Sequence, residues 1–224
     1  MRALPYLLPY VLLVGAQMAA LELFPEHASR VWPLLALALT VVLVAFHRRG
    51  AYPELRVRET PARGATWLAV AAGLLSGLTW VPLTDVAPAL DILGDGGGRG
   101  HFDAAALGTQ LTWLVVGSRL VTSIVLVPFA EELLVRSFVP RLADAGRTDW
   151  WELPVGRFSK LSFCVSVAFF TLTHPEWLAA LVTGLLFTLL LMHTRRFRDV
   201  VIAHVLANAV LDGYVLLSGE TRFW

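Results

Sequence analysis

The chain has 224 residues, 57% of them hydrophobic and only 16% charged, with a mean hydropathy of +0.66, whereas an ordinary soluble domain is about half apolar and a quarter charged. That balance excludes a large soluble domain, and a formal net charge of +1 argues neither for nucleic acid nor for an acidic substrate. The single cysteine, Cys164, excludes an internal disulfide framework and a cysteine-rich metal site.

Seven apolar blocks occupy about 4–21, 31–47, 65–84, 109–130, 161–174, 177–193 and 200–217, and a helix needs about 20 residues to cross a bilayer. The first follows Arg2 with no small-residue cleavage pattern, so it reads as a retained helix. Between the second and third lies HRRGAYPELRVRETPARG, with Arg48, Arg49, Arg56, Arg58 and Arg63. Between the third and fourth, TDVAPALDILGDGGGRGHFD sets Asp85, Asp91, Asp95 and Asp103 against Arg99 alone, and its glycines predict an outward loop. Basic stretches return after the fourth and sixth blocks. With the N-terminus cytoplasmic, 14 of the 18 Lys and Arg residues face inward, three (Arg30, Arg99, Arg222) outward, and Arg119 lies within block four. Trp150 and Trp151 are expected in an interfacial belt at the inner face, Trp177 and Trp224 at the outer one. The fold expected is an all-α polytopic transmembrane bundle of about seven to eight spans, one integral-membrane domain over 1–224 in the inner, cytoplasmic membrane.

A charged side chain at the bilayer centre costs about 2.5–3.5 kcal/mol on insertion scales, so the few present carry information. Glu132 and Arg136 are four residues apart, share a helix face and can pair, while Glu131 is turned about 100° away and stays free. His204 and Asn208 have the same spacing on the last block, and His174 ends the fifth. If the fourth helix runs on past Pro128 to Arg141, with Arg136 and Arg141 snorkelling toward the surface, Glu131 lies roughly 15 Å in; His174 and Asn208 reach comparable depths. Pro128 is expected to kink this helix and free a carbonyl. The bland readings stand beside this one: an interfacial salt bridge for Glu132 and Arg136, helix–helix hydrogen bonding for His204 and Asn208, and bundle partners for Arg119 and Asp212. His27, His47, His101 and His193 sit in loops or at block ends and carry no signal.

EELLVR (131–136), FTLTH (170–174) and HVLAN (204–208), in this order on successive apolar helices, resemble the Glu-Glu-x-x-x-Arg, Phe-x-x-x-His and His-x-x-x-Asn motifs of the CAAX-protease and bacteriocin-processing family. The likeness covers roughly the C-terminal half. It marks about 109–217 as the catalytic core and leaves 1–108 as peripheral helices. RRGAYPELR resembles a bacterial CAAX-protease-related subgroup that accompanies exosortase sorting systems. Ser137 departs from the glycine that many members carry after the arginine.

The resemblance implies an intramembrane endopeptidase of the glutamate type without a cofactor. Glu131 would activate water with help from His174, His204 and Asn208 would form the oxyanion hole, and Glu132, Arg136 and Phe170 would support the site. Peptide hydrolysis calls for a base near neutrality, and low-dielectric surroundings move carboxylates that way. The small residues Gly184 and Ala207 are expected to leave a gap for water. The substrate implied is a membrane protein or lipidated peptide within the bilayer, with processing of another membrane protein favoured over a prenylated tail and an exosortase-type system as a further partner. Three rivals stand beside it: a zinc protease with Glu131, His174 and His204 as ligands, a non-catalytic scaffold or immunity protein, and a transporter or proton relay using Glu131 and the histidines, the last opposed by a sequence without an internal repeat.

Overall fold

The computed structural model describes residues 2–56, 65–87 and 108–224. Most of the acidic, glycine-rich stretch expected to face outward lies outside them, including Asp91, Asp95, Arg99, His101 and Asp103, as do Arg58 and Arg63.

The described residues fold as α1 (Leu4–Leu23), α2 (Val31–Arg48), α3 (Ala65–Val86), a long α4 (Thr109–Asp144), α5 (Lys160–Leu172), α6 (Trp177–Thr194) and α7 (Phe197–Ser218). Among them six helices are long and apolar enough to cross a membrane, making this a multi-pass membrane protein. The fifth apolar block, already the shortest expected, forms a helix too short to be one of them. This is α5, whose 13 residues reach roughly 20 Å at 1.5 Å per residue, short of a hydrocarbon core of about 30 Å. Its end is therefore a turn within the bundle, and His174 lies in that turn.

Two internal prolines leave α4 unbroken because each follows a widened, π-helical turn: Thr122–Leu126 before Pro128 and Leu133–Phe138 before Pro140. A proline ring crowds the carbonyl four residues back and supplies no N–H, and a wider turn relieves both problems. The N–H of Val127 reaches the carbonyl of Thr122, and that of Val139 reaches Leu134, each five residues back. In this register the next donors would be residues 128 and 140, both prolines, so the carbonyls of Ser123 and Val135 are released. Neighbouring helices take both. Asn208 Nδ2 donates to Ser123 at 2.8 Å and Ser166 Oγ to Val135 at 2.8 Å. The freed carbonyl expected at Pro128 is thus present, and it is occupied.

α3 lies against both α7 and α6. A Cβ added to Gly73 would strike the Ala203 carbonyl, and one on Gly77 would sit 2.7 Å from the Val210 Cβ, so these glycines let two backbones approach as small residues do in membrane bundles. Ser76 and Thr183 then share a hydrogen bond of 2.6 Å between α3 and α6. At the far end of α4, Asp144 accepts from Ser159 and Ser162 at 2.6 and 2.8 Å, holding the capping box that starts α5.

Burial corrects several expectations. Arg136 and Arg141 are buried rather than snorkelling: Arg136 pairs with Glu132, and Arg141 Nη2 lies 3.3 Å from Glu54, which also binds Ser137. An arginine that finds an internal carboxylate and aromatic faces need not climb to water. Trp150 is buried against Tyr6 and Phe138 instead of forming part of a belt. Trp224 is buried too, because its Nε1 donates to Asp212 at 2.8 Å; Arg119 stacks 5.2 Å over the same ring, so Arg119 and Asp212 meet through Trp224. Exposed Trp67 and Trp113 are the outward-facing tryptophans of α3 and α4. Gly184 leaves no gap, since Phe170 fills the space a side chain would occupy.

Candidate active site

Glu131 and Glu132 lie on α4 between its two widened turns, and both are buried. Glu132 has two partners at one oxygen: Arg136 Nη1 at 3.3 Å, one turn along α4, and His204 Nδ1 at 2.7 Å, from α7. Arg136 is wholly enclosed, with its guanidinium 4.2 Å over the Phe170 ring and 5.9 Å from that of Phe187. One carboxylate of the pair is thus committed to the arginine. Glu131 keeps Oε2 without a hydrogen-bond partner.

His174 stands just past the end of α5, where the last carbonyls of a helix lack an intrahelical donor. Its Nδ1 lies 2.7 Å from the Phe170 carbonyl, and a carbonyl only accepts, so Nδ1 carries the proton and Nε2 is left facing Glu131 Oε2 at 3.9 Å. His204 repeats the arrangement: with Nδ1 donating to Glu132, its Nε2 lies 3.7 Å from the same Glu131 oxygen. The Phe170 ring that Arg136 stacks on also touches both imidazoles, 4.4 Å from His174 and 6.0 Å from His204.

These groups line a pocket of about 160 Å³ with Asn208, Ser123 and Ala207 on its wall. All four residues expected to act, Glu131, His174, His204 and Asn208, border one cavity together with Phe170, and Glu132 and Arg136 pack behind it. Asn208 spends one amide hydrogen on Ser123 and retains a second. The sequence reading missed the contribution of α3, which lies outside 109–217: Ser76, Gly77 and Trp80 also line the pocket, with the Trp80 ring 5.7 Å from that of His174. The signal was available in Gly73 and Gly77, a G-x-x-x-G spacing within an apolar span.

Chemically, the pocket presents a carboxylate oxygen and two imidazole nitrogens converging without a donor among them. A water molecule placed there finds acceptors for its hydrogens. Among the described residues no three His, Cys, Asp or Glu side chains have the arrangement that would hold a metal ion; Glu131, His174 and His204 come near one another but not to that geometry.

The molecule is therefore a multi-pass α-helical membrane protein with a buried carboxylate between two imidazoles. Residues 112–210 match the family model described as type II CAAX prenyl endopeptidase Rce1-like. That stretch contains all three motifs, so the resemblance to the CAAX-protease family is shown, and the family points to an endopeptidase working within the membrane. No match was found among curated proteins or among solved structures.

Proposed function

We propose that the chain is an intramembrane endopeptidase of the inner membrane that hydrolyses a peptide bond of a membrane-associated protein with a water activated by Glu131. The observation that carries this reading is the free Oε2 of Glu131, faced by the Nε2 atoms of His174 and His204 in a pocket large enough for water and a peptide group. Water donates one hydrogen to Glu131 and another to His174, which turns an oxygen lone pair toward the scissile carbonyl. The developing oxyanion is met by the second amide hydrogen of Asn208, and by His204 in its imidazolium form, in which Nε2 has taken a proton from solvent while Nδ1–H stays on Glu132. Glu132 and Arg136 hold the imidazole of His204, and Phe170 shields their charge. In the collapse of the intermediate the proton on Glu131 passes to the leaving amine.

The substrate of this reading is a membrane protein or lipidated tail that enters between helices, and an exosortase-type sorting system is a further partner. Fragment patterns in cells carrying native or Glu131→Gln protein at equal expression test the proposal; identical fragments would sink it. Chelation addresses the zinc reading separately. Cleavage that survives exhaustive chelation fits the glutamate base, and loss restored by zinc transfers Glu131, His174 and His204 to a metal.

A further inference from the structure

Two cavities outside the candidate site meet at the arginine-rich end of the bundle. The first, about 420 Å³, is lined by five arginines, Arg56, Arg141, Arg195, Arg196 and Arg198, against the two acids Glu54 and Glu152. Glu54 is committed to Arg141, Ser137 and Tyr6, so it does not neutralise the rest. Arg56 and Arg195 are exposed, and Arg198 is half-buried with Nε 3.6 Å from Asp199. The second cavity, about 480 Å³, is a groove between α2, α4 and α7 whose walls include Leu43, Val44, Val125, Phe129 and Ile202. Arg198 and Leu55 border both cavities. From Val125 to Leu133 the groove follows α4 for eight residues, roughly 12 Å.

An apolar trough that ends in a cluster of guanidinium groups at the membrane surface has the shape and charge of a lipid with an anionic head. From this geometry we infer a binding site for one anionic phospholipid, its upper acyl chain in the groove between α2, α4 and α7 and its phosphate beside Arg56, Arg195 and Arg198. Arginine suits this role because its planar fork matches phosphate oxygens in pairs, and basic pockets between transmembrane helices recognise acidic head groups. The groove floor includes Leu133, next to Glu132 on α4, and Val201, three residues before His204 on α7, so the bound chain packs against the two helices that carry the site. The inference does not depend on proteolysis.

The full chain, stripped of lipid in detergent, is titrated with dioleoyl phosphatidylglycerol or dioleoyl phosphatidylcholine, and bound lipid is counted by native mass spectrometry. The matched tails separate head from chain. Phosphatidylglycerol should bind at least tenfold more tightly than phosphatidylcholine, and each of Arg56→Gln, Arg195→Gln and Arg198→Gln should weaken it roughly fivefold. Val44→Trp, at an exposed groove wall, should weaken both lipids alike. Arg56→Gln, in an exposed loop, serves should either of the other arginine variants fail to fold. Equal binding of the two lipids, a preference that survives loss of the arginines, or displacement by an acidic membrane-anchored peptide that outcompetes phosphatidylglycerol would each overturn the assignment.

Discussion

Adjacent carboxylates on one helix turn have opposite surroundings here, and this separates their expected behaviour. Glu132 touches Arg136 and His204, so Glu132→Gln leaves a fully buried guanidinium uncompensated, and losing one partner of a buried pair costs about 3–5 kcal/mol. Glu131 Oε2 has no such partner. Glu131→Gln should therefore unfold at nearly the native temperature while cleavage falls about 10²–10⁴-fold, the usual range for a lost general base; Glu132→Gln should lower the unfolding temperature in detergent as well. Thermal unfolding of both variants beside fragment assays checks the split. The spacing of Glu132 and Arg136 made their pairing readable from the residues alone, since helical geometry places positions four apart on one face. That His204 completes the same oxygen was not readable, because 72 residues separate it from Glu132 and only the packing of α4 against α7 joins them.

Helix α4 carries its chemistry between two proline-dependent turns. Pro128→Ala would restore an N–H to compete with Asn208 for the Ser123 carbonyl, so the amide of Asn208 should lose its orientation. Cleavage is expected to drop about 10²-fold, the cost of losing one oxyanion donor, with little change in unfolding temperature. Assaying Pro128→Ala beside Asn208→Ala tests whether both act through one group: the double variant should be no worse than Asn208→Ala alone. The contact of α3 with α7 is the second element-scale constraint. Gly77→Ala meets Val210 and the Ala207 carbonyl, whereas Gly15→Ala meets nothing within 4 Å. Overpacking costs about 1–3 kcal/mol, so Gly77→Ala should unfold at a lower temperature in detergent and Gly15→Ala should not.

For the whole molecule, Tyr6 donates to the Ala51 carbonyl at 3.1 Å, Tyr52 to the Pro5 carbonyl at 2.7 Å, and Arg2 stacks 4.3 Å over Trp151. The N-terminus and the basic segments after α2 and α4 therefore share one end, as the alternation of charge predicts. The positive-inside rule leads us to propose that this end faces the cytoplasm. In a Cys164→Ser background, cysteine at exposed Arg147 should react with an impermeant reagent only after the inner face is opened, and cysteine at exposed Glu26 in intact spheroplasts; the reverse pattern would invert the topology.

By itself the sequence determined an all-helical membrane chain, its charge alternation, the pairing of Glu132 with Arg136 and the continuation of α4 past Pro128. Each follows from hydropathy or from spacing within one helix, which are local properties. Tertiary structure decided that Arg136 and Arg141 turn inward, that Trp150 and Trp224 leave the interface, that α3 lines the pocket, and that one oxygen of Glu131 faces two imidazoles. Those outcomes depend on which helix faces meet, and burial against a partner from a distant part of the chain outweighs the preference any residue shows alone.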